Sequence, residues 1–311
     1  MSETSQQHLA VAGGGLMGSG IAAQLAAHGQ PVVVFESQPA AAAQVAGRCH
    51  GVFDELVRGG ALADAGAAMD RVTVTTCPED LAGADVIVEA VSESLAAKHA
   101  LYATLEAVVA PDALLASSTS GFLPDALAAP LRHPERFLVA HFWNPPHLVP
   151  LVEVVGGTAT RRDVIDRMVH TLAGVGCQPV KLDKAVPGFV GNRLQFALLR
   201  EALHLLDDGV ADAATIDLIV TQTIGKRYAL IGPLAGADLG GLGTFHAIAT
   251  YLMPLLSRDD QAVRVLASQV AAGRLGRSSG EGFHAWTPER EAGLARVRQA
   301  LLQRTHRPDA G

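Results

Sequence analysis

Three absences narrow what this chain of 311 residues can be. Its cysteines, Cys49, Cys77 and Cys177, are odd in number, far apart and without paired spacing, which argues against a disulfide framework or a zinc knuckle. No apolar run approaches the roughly 20 residues of a membrane span. The polar beginning MSETSQQ lacks the basic and apolar regions of a secretory signal. We therefore expect a cytoplasmic protein without a metal site.

The chain also lacks an excess of positive charge. Its formal net charge is −7, so it offers no large basic field to nucleic acid or to an anionic membrane surface. A small molecule is the class of partner that this composition favours. The length exceeds that of a usual single domain, and we therefore expect two domains.

A glycine-rich turn stands between the first predicted strand and the first predicted helix. Residues 8–12 are apolar, and an alanine-rich helix follows the motif Gly13-Gly14-Gly15-Leu16-Met17-Gly18. In such a motif Gly13 permits a tight turn, Gly15 lets the backbone approach a pyrophosphate, and Gly18 lets the helix pack on the strand. The start of the helix, with Leu16 and Met17, then faces the phosphates. Strand, glycines and helix in this order predict a dinucleotide site rather than an ordinary turn.

An acidic residue ends the next predicted strand. Residues 31–35 are followed by Glu36, about twenty residues beyond the glycines, where a carboxylate accepts hydrogen bonds from the adenosine ribose and repels a 2′-phosphate. Residues 36–43 contain no Arg or Lys that would bind that phosphate. NAD is therefore the predicted cofactor, in preference to NADP.

Alternating strands and helices continue through the first half of the chain. Strands are predicted at residues 72–75, 86–91, 113–117 and 178–182, with helices between them such as residues 95–109 and 162–172. This alternation predicts a doubly wound parallel sheet of the α/β class.

The pattern changes near Pro187, beyond which helical spacing continues without a convincing strand. Helices are expected around residues 213–223, 243–256 and 262–272. We predict a Rossmann-type NAD-binding domain over residues 1–186 and an all-α domain for substrate binding and dimerisation over residues 187–311. Alanine- and leucine-rich helical domains commonly pair with their twins, so a homodimer is expected.

Polar side chains follow two of the predicted strands at the edge where ligands bind in doubly wound sheets. Glu93 and Lys98 follow the strand at residues 86–91, and Ser117-Ser118-Thr119-Ser120-Gly121 follows the strand at residues 113–117. The hydroxyl cluster is either part of the site or only a helix N-cap before Pro124.

Two apolar stretches on either side of a proline corner each carry one proton-handling side chain. Residues 140–155, AHFWNPPHLVPLVEVV, predict two strands, the first with His141 and the second with Glu153. A buried carboxylate is costly unless a hydrogen-bonding or charged partner meets it. If the strands run side by side, Glu153 accepts the proton on one imidazole nitrogen and leaves the other to act as a base. The alternative is a solvated Glu153 on an edge strand and a hydrogen-bonded His141 in the core.

With these residues in view, the chain resembles the L-3-hydroxyacyl-CoA dehydrogenase family over nearly its whole length, in the branch near L-gulonate 3-dehydrogenase and lambda-crystallin. The resemblance rests on separate motifs in the family's order, namely VAGGGLMGSGIA with Glu36, VIVEAVSESLAAK, SSTSG, HFWNPP, LVEVV, VPGFVGNRL and GRSSGEGF. It implies that His141 is the general base and Glu153 its partner. It also implies that Ser120 hydrogen-bonds the substrate oxygen, that Asn192 helps to fix the reacting hydroxyl or carbonyl, and that Glu93 and Lys98 contact the nicotinamide-side ribose and phosphates of NAD.

Departures from the family pattern bear on the substrate. Members that act on acyl-CoA usually carry lysines in the long helix after the second strand, where the phosphates of coenzyme A lie. Here that helix offers only Arg48 and Arg58, and Ser118 stands where the family usually has Asn. A substrate that carries its own carboxylate is therefore plausible. Arg227 offers a planar fork to such a carboxylate, although Lys226 and Arg227 together are also typical of a solvated helix end.

The predicted function is NAD-dependent oxidation of the secondary hydroxyl of an L-3-hydroxy acid, free or as a CoA thioester, to the 3-keto product. A crystallin-like structural or NAD-binding protein with little turnover is the first alternative, which is weakened because all four proposed catalytic residues are present. An enzyme of the hydroxyisobutyrate type, which uses a lysine as its acid or base, is the second. The pair of His141 and Glu153 argues against it.

Overall fold

The structure is a computed structural model, and it describes residues 7–259 and 264–306. One sheet of eight strands forms its centre, in the order β3-β2-β1-β4-β5-β6-β7-β8. The strands are β1 (Leu9–Ala12), β2 (Val32–Phe35), β3 (Val72–Thr75), β4 (Val86–Glu89), β5 (Leu114–Ser117), β6 (Phe137–Phe142), β7 (Leu151–Gly156) and β8 (Gln178–Lys181).

Helices separate the strands and follow them. They are α1 (Leu16–Ala27), α2 (Pro39–Ala42), α3 (Val45–Arg58), α4 (Ala65–Met69), α5 (Leu95–Val108), α6 (Pro124–Ala128), α7 (Arg162–Ala173), α8 (Gly191–Asp207), α9 (Ala213–Gln222), α10 (Ile224–Tyr228), α11 (Pro233–Gly240), α12 (Leu242–Leu252), α13 (Arg264–Ala271) and α14 (Pro288–His306). Short 3-10 turns lie at Pro78–Leu81, Pro134–Arg136, Met253–Leu255 and Arg277–Ser279. The first two residues of the helix predicted at residues 262–272 lie outside the described residues.

The sheet is doubly wound, as the alternation of strands and helices predicts. Strands β1 to β6 run parallel to one another, and the direction of winding reverses between β1 and β4. One pair departs from the parallel arrangement, because β7 pairs antiparallel with β6, and β8 then runs parallel to β7. The antiparallel pair is possible because a short proline-containing corner joins β6 to β7, whereas parallel neighbours need a long crossover.

Helices cover both faces of the sheet, so its strands are buried on each side. On β1, Leu9 and Val11 pack into one apolar core, while Ala10 and Ala12 pack into the other. This alternation follows from the two-residue period of a strand. Helices α1, α3 and α7 contribute to the first core and α5 and α6 to the second. Continuous apolar strands are what a sheet buried on both faces requires.

The chain divides into two compact units, Met1–Val190 with Ala295–Gly311, and Gly191–Leu294. The first contains the sheet, and the second is helical apart from isolated bridges at Gly276, Glu281 and Ala285. The boundary expected after residue 186 stays a prediction. The end of α14 belongs to the first unit, where Leu302 is buried in the core. Helical spacing in the sequence did not indicate that return.

The three thiols are free, with Cys49 and Cys177 buried and Cys77 exposed. Burial raises the pKa of Cys49 to about 11 and, in the same way, that of Cys177 to about 11. Both therefore stay protonated at neutral pH and act as small apolar side chains rather than nucleophiles. None of the helices in the described residues combines the length and apolarity that crossing a bilayer requires.

Candidate active site

The glycine-rich turn has the close contacts that its sequence predicts. The φ angle of Gly13 is +109°, and a Cβ atom there would lie 2.9 Å from the backbone of Ala90 beyond β4. A Cβ at Gly18 would lie 1.8 Å from the Gly13 carbonyl oxygen, so α1 packs closely on the turn. A Cβ at Gly15 would meet nothing within 4 Å, because this glycine faces open space. The turn thus leaves backbone exposed at the start of α1, which is what a pyrophosphate needs.

A cavity of about 470 Å³ lies beside this turn, between the carboxyl ends of β1, β2 and β4 and the first turns of α5. Its walls include Gly13, Gly15, Glu36 and Val91. This is the crevice where the winding of the sheet reverses, the position at which open α/β sheets bind nucleotides. The residues present therefore fit a bound NAD, with Leu16 exposed and Met17 half-buried at the start of the helix.

Glu36 holds the turn from the side of the expected ribose. Its Oε2 accepts a hydrogen bond from the Gly14 N–H at 2.9 Å, and its Oε1 accepts one from the Gln38 N–H at 3.0 Å. The other side of Gly14 is held by Arg48, whose Nη1 donates to the Gly14 carbonyl at 2.8 Å. From the sequence, Arg48 was a candidate only for contact with the phosphates of coenzyme A. The structure brings its cation to the glycine-rich turn, and a helix position twelve residues beyond Glu36 gave no clear signal for that contact.

A fully buried ion pair lies behind the ends of β4 and β5. Glu89 Oε1 accepts from Lys98 Nζ at 2.7 Å and from the Val91 N–H at 2.8 Å, while Oε2 accepts from the Ser117 hydroxyl at 2.7 Å and the Tyr102 hydroxyl at 2.8 Å. Burial, and after it the charge of Glu89, raise the pKa of Tyr102 far above its ordinary value, so the phenol stays a donor. Four donors on two oxygens offset the cost of burying the carboxylate.

Lys98 connects this pair to the predicted substrate loop. Its Nζ also lies 3.3 Å from Oε2 of Glu93, whose side chain is about half exposed. Oε1 of Glu93 accepts from the Thr119 hydroxyl at 2.5 Å and from the Ser120 N–H at 3.1 Å. The chain of contacts therefore fixes the backbone of Ser120 while leaving that residue exposed. Whether Glu93 and Lys98 contact NAD stays a prediction.

The loop after β5 is organised by Thr119 rather than by a helix cap. The Thr119 hydroxyl accepts from the N–H groups of Gly121 and Phe122, at 3.3 and 3.1 Å. Helix α6 begins after Leu123 and has no side-chain cap. The alternative interpretation of the hydroxyl cluster as an N-cap before Pro124 is therefore wrong.

His141 and Glu153 are direct partners in the β6–β7 ladder. Nδ1 of His141 lies 2.9 Å from Oε2 of Glu153, and each residue is 3% exposed. Opposite residues of an antiparallel pair share a face, which is why two side chains twelve residues apart meet. The alternative of a solvated Glu153 is excluded by its burial. An ionised carboxylate can only accept, so the geometry assigns the proton to Nδ1 and leaves Nε2 as the acceptor.

Aromatic rings and backbone fix the pair further. The ring of Trp143 lies 5.2 Å and that of Phe189 5.5 Å from the His141 ring, centre to centre. Oε1 of Glu153 accepts from the Val190 N–H at 3.0 Å. Phe189 is fully buried with φ at +51°, a conformation that is strained for a bulky residue. The sequence predicted a change of pattern near Pro187 but not the packing of Phe189 on His141.

Asn192 and Arg227 lie in the second unit. Asn192 is the second residue of α8. Arg227 and Lys226 are exposed in the last turn of the short helix α10, the position typical of a solvated helix end. The roles of Asn192 and Arg227 stay predictions.

Glu89 and Tyr102 are the members of the site that sequence reasoning missed, whereas Ser117 was already part of the predicted hydroxyl cluster. A signal for Glu89 existed, because it is a carboxylate inside an apolar strand, the same feature that pointed to Glu153. Tyr102 gave no such signal, since a tyrosine on a helix is ordinary in any core. The contact of the Ser117 hydroxyl with Glu89 was not predicted either.

A dinucleotide cradle together with a carboxylate-oriented histidine is the arrangement of a nicotinamide-dependent dehydrogenase. The model of the 3-hydroxyacyl-CoA dehydrogenase NAD-binding domain matches residues 8–186, and that of the 3-hydroxyacyl-CoA dehydrogenase C-terminal domain matches residues 188–286. The chain belongs to the 3-hydroxyacyl-CoA dehydrogenase family. It is an NAD-dependent oxidoreductase that acts on a CH–OH group, and the predictions of family, fold class and cofactor are confirmed.

Relatives with known names are similar over most of the chain. A 5-formyl-3-hydroxy-2-methylpyridine 4-carboxylate 5-dehydrogenase of Mesorhizobium japonicum is 35% identical over 299 residues, which are 95% of this chain and 96% of that protein. An L-carnitine dehydrogenase of Streptomyces griseus is 35% identical and covers 94% of this chain and 90% of its own length. A 3-hydroxyadipyl-CoA dehydrogenase of Escherichia coli is 34% identical, covering 92% of this chain and 60% of that protein.

Solved structures of related enzymes superpose on this chain over most of its length. The crystal structure of a 5-formyl-3-hydroxy-2-methylpyridine 4-carboxylic acid 5-dehydrogenase, described as an NAD⁺-dependent dismutase, superposes with a TM-score of 0.89 at 34% identity and covers 96% of this chain and 98% of its own. FadB2 of Mycobacterium tuberculosis superposes with a TM-score of 0.76 at 33% identity, covering 90% of this chain and 99% of its own.

The environment of Glu36 generates a prediction about cofactor choice. We expect NAD to be used far better than NADP, and we expect Glu36→Ala to narrow that gap because the repelling carboxylate is gone while Arg48 remains beside Gly14. The ratio of kcat/KM for NAD to that for NADP is the measurement. In the double variant Glu36→Ala/Arg48→Met the gain for NADP should be smaller. Equal use of both cofactors by the unmodified enzyme would contradict the placement of Glu36 at the ribose.

Proposed function

We propose that the protein oxidises the secondary hydroxyl of an L-3-hydroxy acid to the 3-keto product, with His141 as the general base. The observation that carries this proposal is the buried hydrogen bond between Nδ1 of His141 and Glu153, at 2.9 Å. It fixes the tautomer and the plane of the ring, so that Nε2 keeps its lone pair for a substrate proton.

The proposed step divides the two hydrogens of the alcohol. His141 Nε2 takes the hydroxyl proton as the carbon–oxygen bond becomes a carbonyl, and the charge of Glu153 stabilises the imidazolium that forms. Bound NAD supplies the acceptor for the hydride that leaves the carbinol carbon. The hydroxyl of Ser120 hydrogen-bonds the substrate oxygen in this proposal, on a loop that Glu93 already holds through the Ser120 N–H. Asn192 is proposed to complete the set by fixing the same oxygen.

A substrate that carries its own carboxylate fits the structure better than one that depends on coenzyme A phosphates. Both arginines of α3 are already engaged within the chain. Arg48 donates to the Gly14 carbonyl and to Gln44, and Arg58 Nε donates to the Asp54 carbonyl at 3.1 Å. The L-carnitine dehydrogenase among the relatives is named for a free hydroxy acid, whereas the 3-hydroxyadipyl-CoA dehydrogenase is named for a thioester. We therefore propose the free acid as substrate and keep the CoA thioester as the alternative.

The second unit supports the proposal of a homodimer. Among its described residues only Leu203 is buried in the single chain. Large apolar side chains on α11 and α12 are instead exposed, including Leu234, Leu239, Leu242, Phe245 and Tyr251. A second copy supplies the same apolar faces and would cover them without a further component. We expect sedimentation equilibrium to give twice the mass of the chain; a monomer at micromolar concentration would contradict the proposal.

The three free thiols are consistent with a reducing compartment, and we propose the cytoplasm as the location. The composition and the family indicate small-molecule partners rather than nucleic acid.

The catalytic pair generates a prediction about turnover. His141→Gln should lower kcat by roughly 10²- to 10⁴-fold, the loss typical of a general base, while the dissociation constant of NAD stays nearly unchanged. Glu153→Gln should also lower kcat, because an amide cannot stabilise an imidazolium as a carboxylate does. Steady-state kinetics with L-3-hydroxybutyryl-CoA, L-3-hydroxybutyrate, L-gulonate and L-carnitine will both identify the substrate and provide these values. Near-normal turnover of His141→Gln on the best of them would remove His141 from the mechanism.

A separate prediction concerns the far end of the substrate. If Arg227, from this subunit or its mate, binds the carboxylate, Arg227→Met should raise KM for the best free hydroxy acid and leave KM for its methyl ester nearly unchanged. Lys226→Met is the matched control, because it removes the neighbouring exposed cation from the same short helix. Equal effects on acid and ester, or none on either, would return Arg227 to the solvated surface and favour the thioester as substrate.

A further inference from the structure

The last helix returns to the first unit and contacts it with one face. Arg298, Leu302 and Thr305 are spaced four and three residues apart on α14, so their side chains lie on the same side of the helix. We name these three residues the C-terminal clasp. The C-terminal domain model of the family ends its match at residue 286, before the clasp begins.

Leu302 anchors the clasp in the apolar core. Its side chain is 1% exposed and lies directly over Gly59, the residue that ends α3. A Cβ atom at Gly59 would fall 1.5 Å from a terminal carbon of Leu302, so only glycine leaves room for this leucine where it stands. The helix is therefore seated in a notch rather than lying loosely on the surface.

Arg298 completes a charged group of three side chains centred on Glu55 of α3. Nε and Nη2 of Arg298 lie 2.9 and 2.5 Å from the two oxygens of Glu55, in a bidentate pair. Nε2 of His147 lies 3.0 Å from Oε2 of the same carboxylate, and His147 is 3% exposed. Burial raises the pKa of Glu55, but hydrogen bonds from Arg298 and His147 outweigh it and hold the pKa below its ordinary value. Glu55 is therefore ionised at neutral pH, and its contacts are charge-assisted.

Both polar residues of the clasp are connected by hydrogen bonds to the corner at residues 145–149, which lies in the segment between β6 and β7. Arg298 reaches it through Glu55 and His147, and the Thr305 hydroxyl donates directly to the Leu148 carbonyl at 2.8 Å. The corner closes on itself, because the N–H groups of Leu148 and Val149 both bond to the Pro145 carbonyl at 3.0 Å. It also packs on α1, where a Cβ at Gly20 would lie 3.1 Å from Pro146.

The catalytic pair lies at the corner end of the two strands. His141 is the last residue but one of β6, and Glu153 is the third residue of β7. In the ladder they follow directly after the pair of Phe142 and Val152, which is the pair next to the corner. Only one residue pair therefore separates the corner from this hydrogen bond, so a shift of the corner has a short path to it.

We propose that Arg298, Glu55, His147 and Thr305 are positioning residues of the dehydrogenase, which hold the corner and thereby keep His141 and Glu153 at hydrogen-bonding distance. The proposal rests on the proposed role of His141 for its effect on turnover. The effect of these four residues on the corner does not depend on whether His141 is the base. In this proposal the clasp acts through its contacts with α3 and the corner, not on the substrate or the cofactor.

The test uses two variants that remove different contacts of the clasp from the full-length enzyme. Arg298→Met removes the bidentate pair while keeping most of the apolar stem, and Thr305→Val removes a single hydrogen bond at nearly constant shape. Arg296→Met is the matched control, since Arg296 is an exposed arginine on the same helix. Arg298→Lys, which retains the charge but not the planar fork, is the conservative variant.

Two readouts are measured at a temperature well below unfolding of every variant. The first is hydrogen exchange of the amides of Leu148 and Val149, which needs no substrate. The second is kcat on the best substrate, with the dissociation constant of NAD. We expect faster exchange at the corner in Arg298→Met and Thr305→Val and about tenfold lower kcat in Arg298→Met, below the roughly 10²-fold loss that a catalytic group misplaced by 1 Å can cause. NAD affinity should stay unchanged, Arg298→Lys should be intermediate, and Arg296→Met should equal the unmodified enzyme.

Other outcomes separate the proposal from its alternatives. Unchanged exchange at the corner in both variants would overturn the proposal whatever happens to turnover. Faster amide exchange with unchanged kcat would show that the clasp stabilises the corner without positioning His141 and Glu153, and it would also overturn the proposal. If His141→Gln keeps near-normal turnover, the proposed base is wrong, yet the exchange data still decide whether the clasp holds the corner. Should Arg298→Met fail to fold, Thr305→Val carries the same comparison.

Discussion

The hydrogen bond between His141 and Glu153 is the interaction on which the proposed chemistry depends. It requires a buried carboxylate, and hydrogen bonds from the imidazole to Oε2 and from the Val190 N–H to Oε1 help to offset the cost of that burial. The antiparallel turn of β7 makes the bond possible, since a parallel neighbour could not return the chain within so short a corner. Phe189, in its strained conformation, and Trp143 then confine the ring.

Glu89 is a second buried carboxylate, and it makes the burial of Lys98 possible. Glu89 neutralises Lys98, so that the ammonium can lie in the interior and still hold Glu93 at the mouth of the site. Glu93 in turn fixes the Ser120 backbone. Charge-assisted bonds therefore connect β4 to the loop after β5, and they hold the Ser120 backbone while that residue stays exposed.

Local signals were sufficient to predict the fold class and the contact between His141 and Glu153. The order of strand, glycine-rich turn, helix, strand and Glu36 is typical of a dinucleotide site, and it predicted the nucleotide crevice. The pair of His141 and Glu153 was predictable because a carboxylate within an apolar strand needs a nearby partner. What escaped prediction depends on long-range contacts. The antiparallel turn of β7, the contact of Arg48 with Gly14, and the return of Leu302 to Gly59 leave no periodicity or motif at the residues involved.

The second unit shows where local signals end. Its helices follow the expected spacing, yet apart from Leu203 none of its described residues is fully buried in the single chain. The apolar periodicity there therefore indicates helix faces that a partner would cover. Asn192 lies on α8, as the helical spacing beyond Pro187 predicts, and Arg227 lies in the last turn of α10, but a helical position does not determine what a side chain binds.

The central claim is that His141 accepts the substrate proton, and chemical rescue tests it most directly. His141→Gly creates a gap at a residue that is 3% exposed, between Trp143 and Phe189, where added imidazole can take the place of the missing ring. The account predicts that turnover is largely lost in this variant and returns as imidazole concentration rises, with saturation. It also predicts that rescue is much weaker when Glu153→Gln is present, because the carboxylate orients the base. Full turnover of His141→Gly without imidazole would contradict the account.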